Sequence, residues 1–295
     1  THAIPKAIYT TRNGLGGNEL FRLFGDSRGD VWIGTIDSRH NSLNRWERST
    51  QTFHQYTKED GLPEYSKEVV TAPTAFCEDA AGNLWIGFYH GGVARYRDGH
   101  FTFFASADGL PSGFIRALYL DHAGRLWIAT AEGGVARLDN PAAEHPQFIR
   151  YSTADGLSSN QATCITEDQW GRIYVGTGRG VDRLEPASAH IKHYTTADGL
   201  ARNFVNVSFR DNNGALWFGG LDGLSRLIPE PDRPESSPPI RIGALRIGGV
   251  QQQLSELGEA EVSGLSLNAN QNDLQIEFSG MSFAPGELLR YQHKL

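Results

Sequence analysis

The segment DGLPSGFIRALYLDHAGRLWIATAEGGVARLD, residues 108–139, holds two short apolar runs divided by Asp121-His122-Ala123-Gly124. Such an aspartate opens a type I turn by bonding its own backbone, and the glycine takes the left-handed position that closes a short hairpin. Residues 115–120 and 126–130 therefore read as antiparallel strands. Glu132-Gly133-Gly134 turns the chain into a third strand at 135–139, and residues 148–152 read as a fourth. The strands are apolar on both faces, as in Leu118-Tyr119-Leu120. A lone sheet leaves one such face in water, whereas sheets stacked face to face around an axis cover both.

Outward from this segment the pattern repeats. Asp/Asn-Gly-Leu occurs with its glycine at Gly14, Gly61, Gly109, Gly156 and Gly199, at spacings of 47, 48, 47 and 43 residues. Asp-x-x-Gly starts at Asp26, Asp79, Asp121, Asp168 and Asp211. Six residues after each of these aspartates stands Trp32, Trp85, Trp127, Tyr174 or Trp217. Four antiparallel strands in about 47 residues is one propeller blade. The chain is accordingly all-β: a β-propeller with five four-stranded blades over residues 1–228. The recurring Trp or Tyr reads as packing between blades, with stacking on a sugar as the alternative. Arg45, Arg95, Arg137, Arg183 and Arg226 recur at one position and read as structural, pairing with a turn carboxylate.

Residues 4–10 match the fourth strand of a blade, while the last repeat, residues 203–228, holds three strands. The amino-terminal strand is thus suited to complete the last blade and close a five-bladed ring. The rival reading is part of a larger, for example seven-bladed, propeller. Residues 229–239, PEPDRPESSPP, form a Pro-rich linker. Alternating stretches at 240–247, 265–267, 274–278 and 289–295 then read as a partial β-sandwich domain, expected to be truncated at 240–295.

Composition narrows the function classes. A net charge of -7 leaves no basic footprint for nucleic acid. No apolar run approaches the roughly 20 residues of a membrane helix. The chain opens on Thr1 without a signal peptide, which reads as a processed or excised piece. Cys77 and Cys164 fall on non-adjacent blades and read as small buried hydrophobes. No nucleophile elbow, phosphate loop or His-Glu-x-x-His is present, and the ten histidines show no metal spacing. The regular aspartates read as scaffold, because acid–base chemistry needs two carboxyls in unlike environments. No cofactor, metal or catalytic residue is expected.

The pattern Asp-Gly-Leu, then Asp-x-x-Gly-x-Leu-Trp-Ile-Gly, then Gly-Gly-Val-x-Arg resembles the two-component regulator propeller repeat. The tail, through Asn270-Gln271-Asn272-Asp273-Leu274, Phe278-Ser279 and residues 291–295, resembles the start of the domain named for its three conserved tyrosines. The resemblance implies a periplasmic sensor segment of a bacterial receptor, followed outside this chain by a membrane helix and a histidine kinase or other output module. It implies a small polar ligand, with carbohydrate fragments as the expected kind, and a homodimer in the full receptor. Family sensors carry more repeats than five. The alternatives are a protein-interaction scaffold, and a propeller lyase acting on a polysaccharide or lactone.

Function is expected where the repeat is broken. Between Gly61 and Asp79 six extra residues include Pro63-Glu64-Tyr65-Ser66-Lys67, and residues 36–44 replace a tight turn. Strand alternation puts the loop entering the first strand and the loop joining the second and third at one end of the blade. Loops on a rigid scaffold commonly bind ligand. The candidates on that face are Arg39, His40, Tyr65, Lys67, Tyr89, His90, Arg116, Glu132, Asn160, Arg179, Asn203 and Asp222.

Overall fold

A computed structural model of the chain describes residues 7–36, 42–63, 72–232, 239–265, 267–268, 271 and 273–280. Residues 1–229 form one compact unit and 230–295 a second. The first blade comprises β1 (Leu20–Gly25), β2 (Val31–Thr35), β3 (Ser42–Glu47) and β4 (Thr52–Tyr56). The second comprises β5 (Pro73–Glu78), β6 (Leu84–Phe88), β7 (Val93–Arg97) and β8 (His100–Phe104). The third holds β9 (Ile115–Leu120), β10 (Leu126–Thr130), β11 (Val135–Leu138) and β12 (Ile149–Tyr151). The fourth holds β13 (Ala162–Glu167), β14 (Ile173–Thr177), β15 (Gly180–Leu184) and β16 (Ile191–Tyr194). The fifth has β17 (Val207–Arg210), β18 (Leu216–Gly220) and β19 (Gly223–Leu227). Each is an antiparallel meander in sequence order. In the second unit β20 (Ile240–Ile247) pairs with β21 (Val250–Gln251) on one side and β22 (Leu274–Gly280) on the other. Residues 265 and 267, expected in a strand, lie outside any element, and 289–295 lie outside the described residues.

The Asp-x-x-Gly hairpins explain the six-residue spacing to the aromatic. One oxygen of Asp121 accepts the backbone N–H groups of Ala123 at 3.0 Å and Arg125 at 2.9 Å. The other accepts the indole N–H of Trp127 at 2.8 Å. The same indole bond joins Trp32 to Asp26, Trp85 to Asp79 and Trp217 to Asp211 at 2.9–3.1 Å. In the fourth blade the Tyr174 hydroxyl donates to Asp168 at 3.0 Å. Gly124 closes the turn at φ 79°, where a side chain is strained. The Asp-Gly-Leu motif links one blade to the next. Asp108 accepts the backbone N–H of Ala105 at 2.8 Å, Gly109 turns at φ 102°, and Leu110 is buried in the core.

The core lies between blades. The aromatic face of each blade meets the aliphatic face of the next. Trp32 packs with Leu84 and Ile86, and Trp85 with Leu126 and Ile128. Trp127 packs with Ile173 and Val175, and Tyr174 with Leu216 and Phe218. All four rings are essentially inaccessible, which gives the interblade packing its apolar drive. Arg45, Arg95, Arg137 and Arg226 lie 5.4–5.7 Å from the indoles of Trp32, Trp85, Trp127 and Trp217. Arg45 pairs with Asp30, as a turn carboxylate partner predicts. Arg137 pairs with Asp139 and Arg183 with Glu185, and Arg137 also donates to the Pro186 carbonyl of the following blade. Arg95 instead donates to the carbonyls of Pro141 and Ala143 in the following blade. Cys77 and Cys164 are buried and free.

The amino-terminal strand differs from expectation. Residues 7–10 adopt no strand, and 1–6 lie outside the described residues. Tyr9 sits against Phe53 of β4 at 5.2 Å, the relation Phe104 of the second blade has to Phe148 beside the third. The described part of this segment thus occupies the place of an outer strand ahead of the first blade, and β19 has no fourth strand beside it among the described residues.

Candidate functional site

In four of the five blades the first strand begins with a β-bulge. The register shifts around Phe21 in β1, Thr74 in β5, Arg116 in β9 and Thr163 in β13. A bulge turns an extra side chain away from the regular alternation and marks where a sheet is adapted for use. Two bulge residues serve the scaffold: Thr74 donates to the Ile115 carbonyl at 2.6 Å, and Thr163 to the Gly176 carbonyl at 2.9 Å. Arg116 does otherwise. Its guanidinium lies over the Phe114 ring at 4.5 Å and is exposed.

Around Arg116 the second and third blades bring several candidates together. Tyr89, at the end of β6, lies 4.8 Å from Phe114 and 5.3 Å from His90. Tyr89 remains 48% exposed, so its ring is open to a ligand on one side. The loops that carry these residues share one end of the blades. Tyr89 N–H donates to the Ala72 carbonyl at 3.1 Å, and Ala131 N–H to that of Phe114 at 2.9 Å. Glycine is needed where the loops meet: a Cβ on Gly113, which has φ 102°, would stand 2.9 Å from Cβ of Glu132.

Beside this cluster β1, β5 and β9 enclose a cleft of about 210 Å³, lined among others by Arg22, Phe24, Thr74, Phe76, Arg116 and Leu118. Arg22 crosses from the first blade, its Nε–H donating to the Thr74 carbonyl at 2.9 Å. Among the described residues the cleft has two arginines, aromatic flanks and no acidic lining residue. It can hold a polar or anionic group by hydrogen bonds from two guanidiniums and offer ring faces to the rest of a ligand.

The remaining candidates divide. Arg39, His40, Tyr65 and Lys67, with most of the two insertions, lie outside the described residues. Asn160 and Asn203 spend their side-chain oxygens on the turn: each accepts a backbone N–H at 2.8 Å, from Thr153 and Thr196. Arg179 is exposed on the fourth blade. Asp222 makes an exposed ion pair with Arg202 at 3.5 Å on the fifth. Sequence reasoning missed Arg22, Thr74 and Phe114. The signal for the first was a cation interrupting the apolar run of β1, as Arg116 does in β9. Among the described residues no group of three or more His, Cys, Asp and Glu side chains is gathered as metal ligands.

Comparison with known proteins agrees with this architecture. Residues 109–132 and 156–179 match the family model described as two component regulator propeller. No curated protein matches the chain. The fold is similar to the extracellular domain of a hybrid two-component system from B. thetaiotaomicron, at 20% identity and TM-score 0.52, over 93% of this chain and 42% of that one. A second such domain from the same organism matches at 18% identity and TM-score 0.57, over 90% and 48%. The chain therefore spans less than half the length of either. Virginiamycin B lyase from Staphylococcus aureus matches at 14% identity and TM-score 0.53, over 72% of this chain and 70% of the lyase. At such identities these likenesses establish the β-propeller fold.

Proposed function

We propose that this chain, a propeller carrying two-component regulator propeller repeats, is the extracytoplasmic ligand-sensing region of a bacterial two-component receptor. It takes a small polar ligand, carbohydrate-like in character, on the face around Tyr89, His90, Phe114 and Arg116, and relays occupancy to a membrane helix and kinase or other output module. Its own role is binding rather than catalysis. The small sheet of β20–β22 is the start of the sandwich-like domain through which the relay passes, and the receptor works as a homodimer.

One observation carries the reading. An exposed aromatic ring, an imidazole and a guanidinium meet at the bulged start of β9, beside a cleft at the convergence of three blades. Aromatic faces and fixed polar donors around a concavity are the usual lining of a small-molecule site. The family of the repeat and the fold shared with receptor extracellular domains support the placement in a signalling receptor.

The test is a thermal-shift screen of the chain against oligosaccharides and small metabolites, with light scattering on the same samples. A ligand that binds only the folded state stabilises it by about 2.7 kcal/mol at a hundred times its dissociation constant. A saccharide hit that weakens in Tyr89→Ala and His90→Ala is the expected result. A monomeric, well-folded chain that ignores the whole panel would overturn the sensor reading in favour of a protein-docking scaffold.

A further inference from the structure

We infer that the ligand of the cleft between β1, β5 and β9 carries an oxyanion, a carboxylate, sulfate or phosphate, and that Arg22 and Arg116 hold it. The inference rests on the sensor reading and deepens it.

The charge distribution is the first argument. The chain as a whole is acidic, at a net charge of -7, yet among the described residues this cleft is lined by two arginines and no acid. Several other arginines of the propeller pair with an acid. Arg45 pairs with Asp30, Arg125 with Asp121, Arg137 with Asp139 and Arg172 with Asp168. Among the described residues neither Arg22 nor Arg116 makes an ion pair. Arg22 spends only its Nε–H, on the Thr74 carbonyl at 2.9 Å. Arg116 stands over the Phe114 ring at 4.5 Å, and its side chain makes no hydrogen bond among the described residues. Glu132, the acid of the adjoining loop, does not line the cleft.

Geometry is the second argument. Arg116 stands at a bulge, where the equivalent residues Thr74 and Thr163 bond neighbouring carbonyls. A threonine there completes the scaffold; an arginine there gives up that bond and places a cation at the cleft. Arginine is favoured where planar, bidentate recognition of an oxyanion is needed. The volume, about 210 Å³, falls below the ~300–1,000 Å³ of a pocket that encloses a whole ligand. One charged group fits inside, and the remainder of the ligand lies across Tyr89 and Phe114.

The experiment titrates the chain with four probes that share one sugar ring: glucose, glucuronate, glucose 6-sulfate and glucose 6-phosphate. Inorganic sulfate and phosphate are run beside them. Calorimetry and thermal shift give the affinities at low and high salt. The expected result is binding by one or more of the anionic sugars, at least about tenfold tighter than glucose and weakening as salt rises. The arms separate the carboxylate, sulfate and phosphate sources, and binding by the inorganic ions alone assigns recognition to the anion rather than the sugar. Arg116→Gln should lose about tenfold or more of that affinity, and Arg116→Lys should recover only part of it. Arg22→Gln should act similarly, and Arg116→Gln is the cleaner variant because no scaffold bond leaves with it.

Glucose or another neutral saccharide from the sensor screen binding as well as the acids overturns the oxyanion inference and leaves the sensor reading standing. Anionic sugars that bind Arg22→Gln and Arg116→Gln as tightly as the parent chain overturn the assignment to this cleft. No binding by any of these probes or by the screening panel overturns both.

Discussion

At the scale of single residues, the repeats show a compensation between two positions that lie far apart in sequence. After Asp/Asn-Gly-Leu the next residue's N–H points at the middle of the third strand. In the first blade Gly16 N–H donates to Asn44 at 2.8 Å, in the fourth Ser158 to Asp182 at 2.9 Å, and in the fifth Ala201 to Ser225 at 2.8 Å. In the second and third blades the donors are replaced by Pro63 and Pro111, which have no N–H, and the acceptor positions hold Ala94 and Ala136. A buried donor without an acceptor is costly, and the sequence changes both partners together. Asp182 also accepts from the His193 ring at 2.7 Å. Asp182→Ala is therefore expected to destabilise the chain by about 1–3 kcal/mol in urea unfolding, and Asp182→Asn, which keeps an acceptor oxygen, by less. Equal midpoints for Asp182→Ala and the parent would show that the N–H finds another partner. The two thiols give a second expectation. Burial, acting first, pushes the Cys77 thiol up to about 12 and that of Cys164 upward as well. The thiolate is the reactive form, so neither should react with a disulfide reagent at neutral pH until the chain is unfolded in urea. Rapid labelling of the native protein would contradict their placement.

At the scale of the element, the hairpin between the first two strands of each blade is organised by one aspartate. Its two oxygens tie the turn backbone and the aromatic six residues later, and Tyr174 shows that a hydroxyl serves as well as an indole N–H. For Asp211 the Trp217 indole is the largest influence; burial, the next, opposes it, and the N–H groups of Ala215 and Asn213 and the charge of Arg226 tip the balance downward. The carboxyl is held below its ordinary 3.8. A depressed folded value means that the stabilisation is complete above the ordinary value and is lost as pH falls through the folded one. Trp217→Phe should move the Asp211 titration, followed by NMR, back toward 3.8 and remove that part of the acid sensitivity. An unchanged titration would place the control with the backbone bonds instead. The same hairpins mark how far sequence reading reached. The turn and the strand spans of the third blade were legible, because Asp, Gly and alternating apolar residues act locally. The Asp–aromatic bond was present only as a constant spacing. The bulges were not legible, since one extra residue in a run that is apolar on both faces leaves no break in pattern, and Thr74 at the cleft went unseen with them; Arg22 was signalled only as a cation interrupting β1. Asn160 and Asn203 looked like free polar groups because the acceptor role of an Asn oxygen depends on a backbone N–H seven residues earlier.

At the scale of the whole propeller, stacking has a direction: the aromatic face of one blade covers the aliphatic face of its successor. Four such junctions are filled; among the described residues of the propeller no blade lies against the aliphatic face of the first blade, where Tyr9 covers the outer part at Trp46 and Phe53, or against the aromatic face of the fifth. Accessibility follows this directly. Leu23 of β1 is 65% exposed, whereas Ile165, at the same register position of the fourth blade, is 6% exposed. Leu224 of β19 is 62% exposed, against 1% for its counterpart Val181. The two bare faces are of the two kinds that join at every filled junction. A second copy of the chain can therefore present its first blade to the fifth blade of another, repeating a contact the molecule already makes four times. Such a contact is heterologous and does not close on itself at two copies, so it builds chains or rings rather than a symmetric dimer. The expected behaviour of this chain alone is mass that rises with concentration in size-exclusion light scattering. Because the contact is apolar it should persist at high salt, unlike an association through exposed charges. Leu23→Lys and Leu224→Lys, on opposite faces, should each cap one end. Either alone should stay monomeric, because every contact needs both faces, and a mixture of the two single variants should stop at a pair joined through the unaltered faces. A chain that stays monomeric at high concentration, or variants that associate as the parent does, would mean that the bare faces are covered by the chain's own remaining residues.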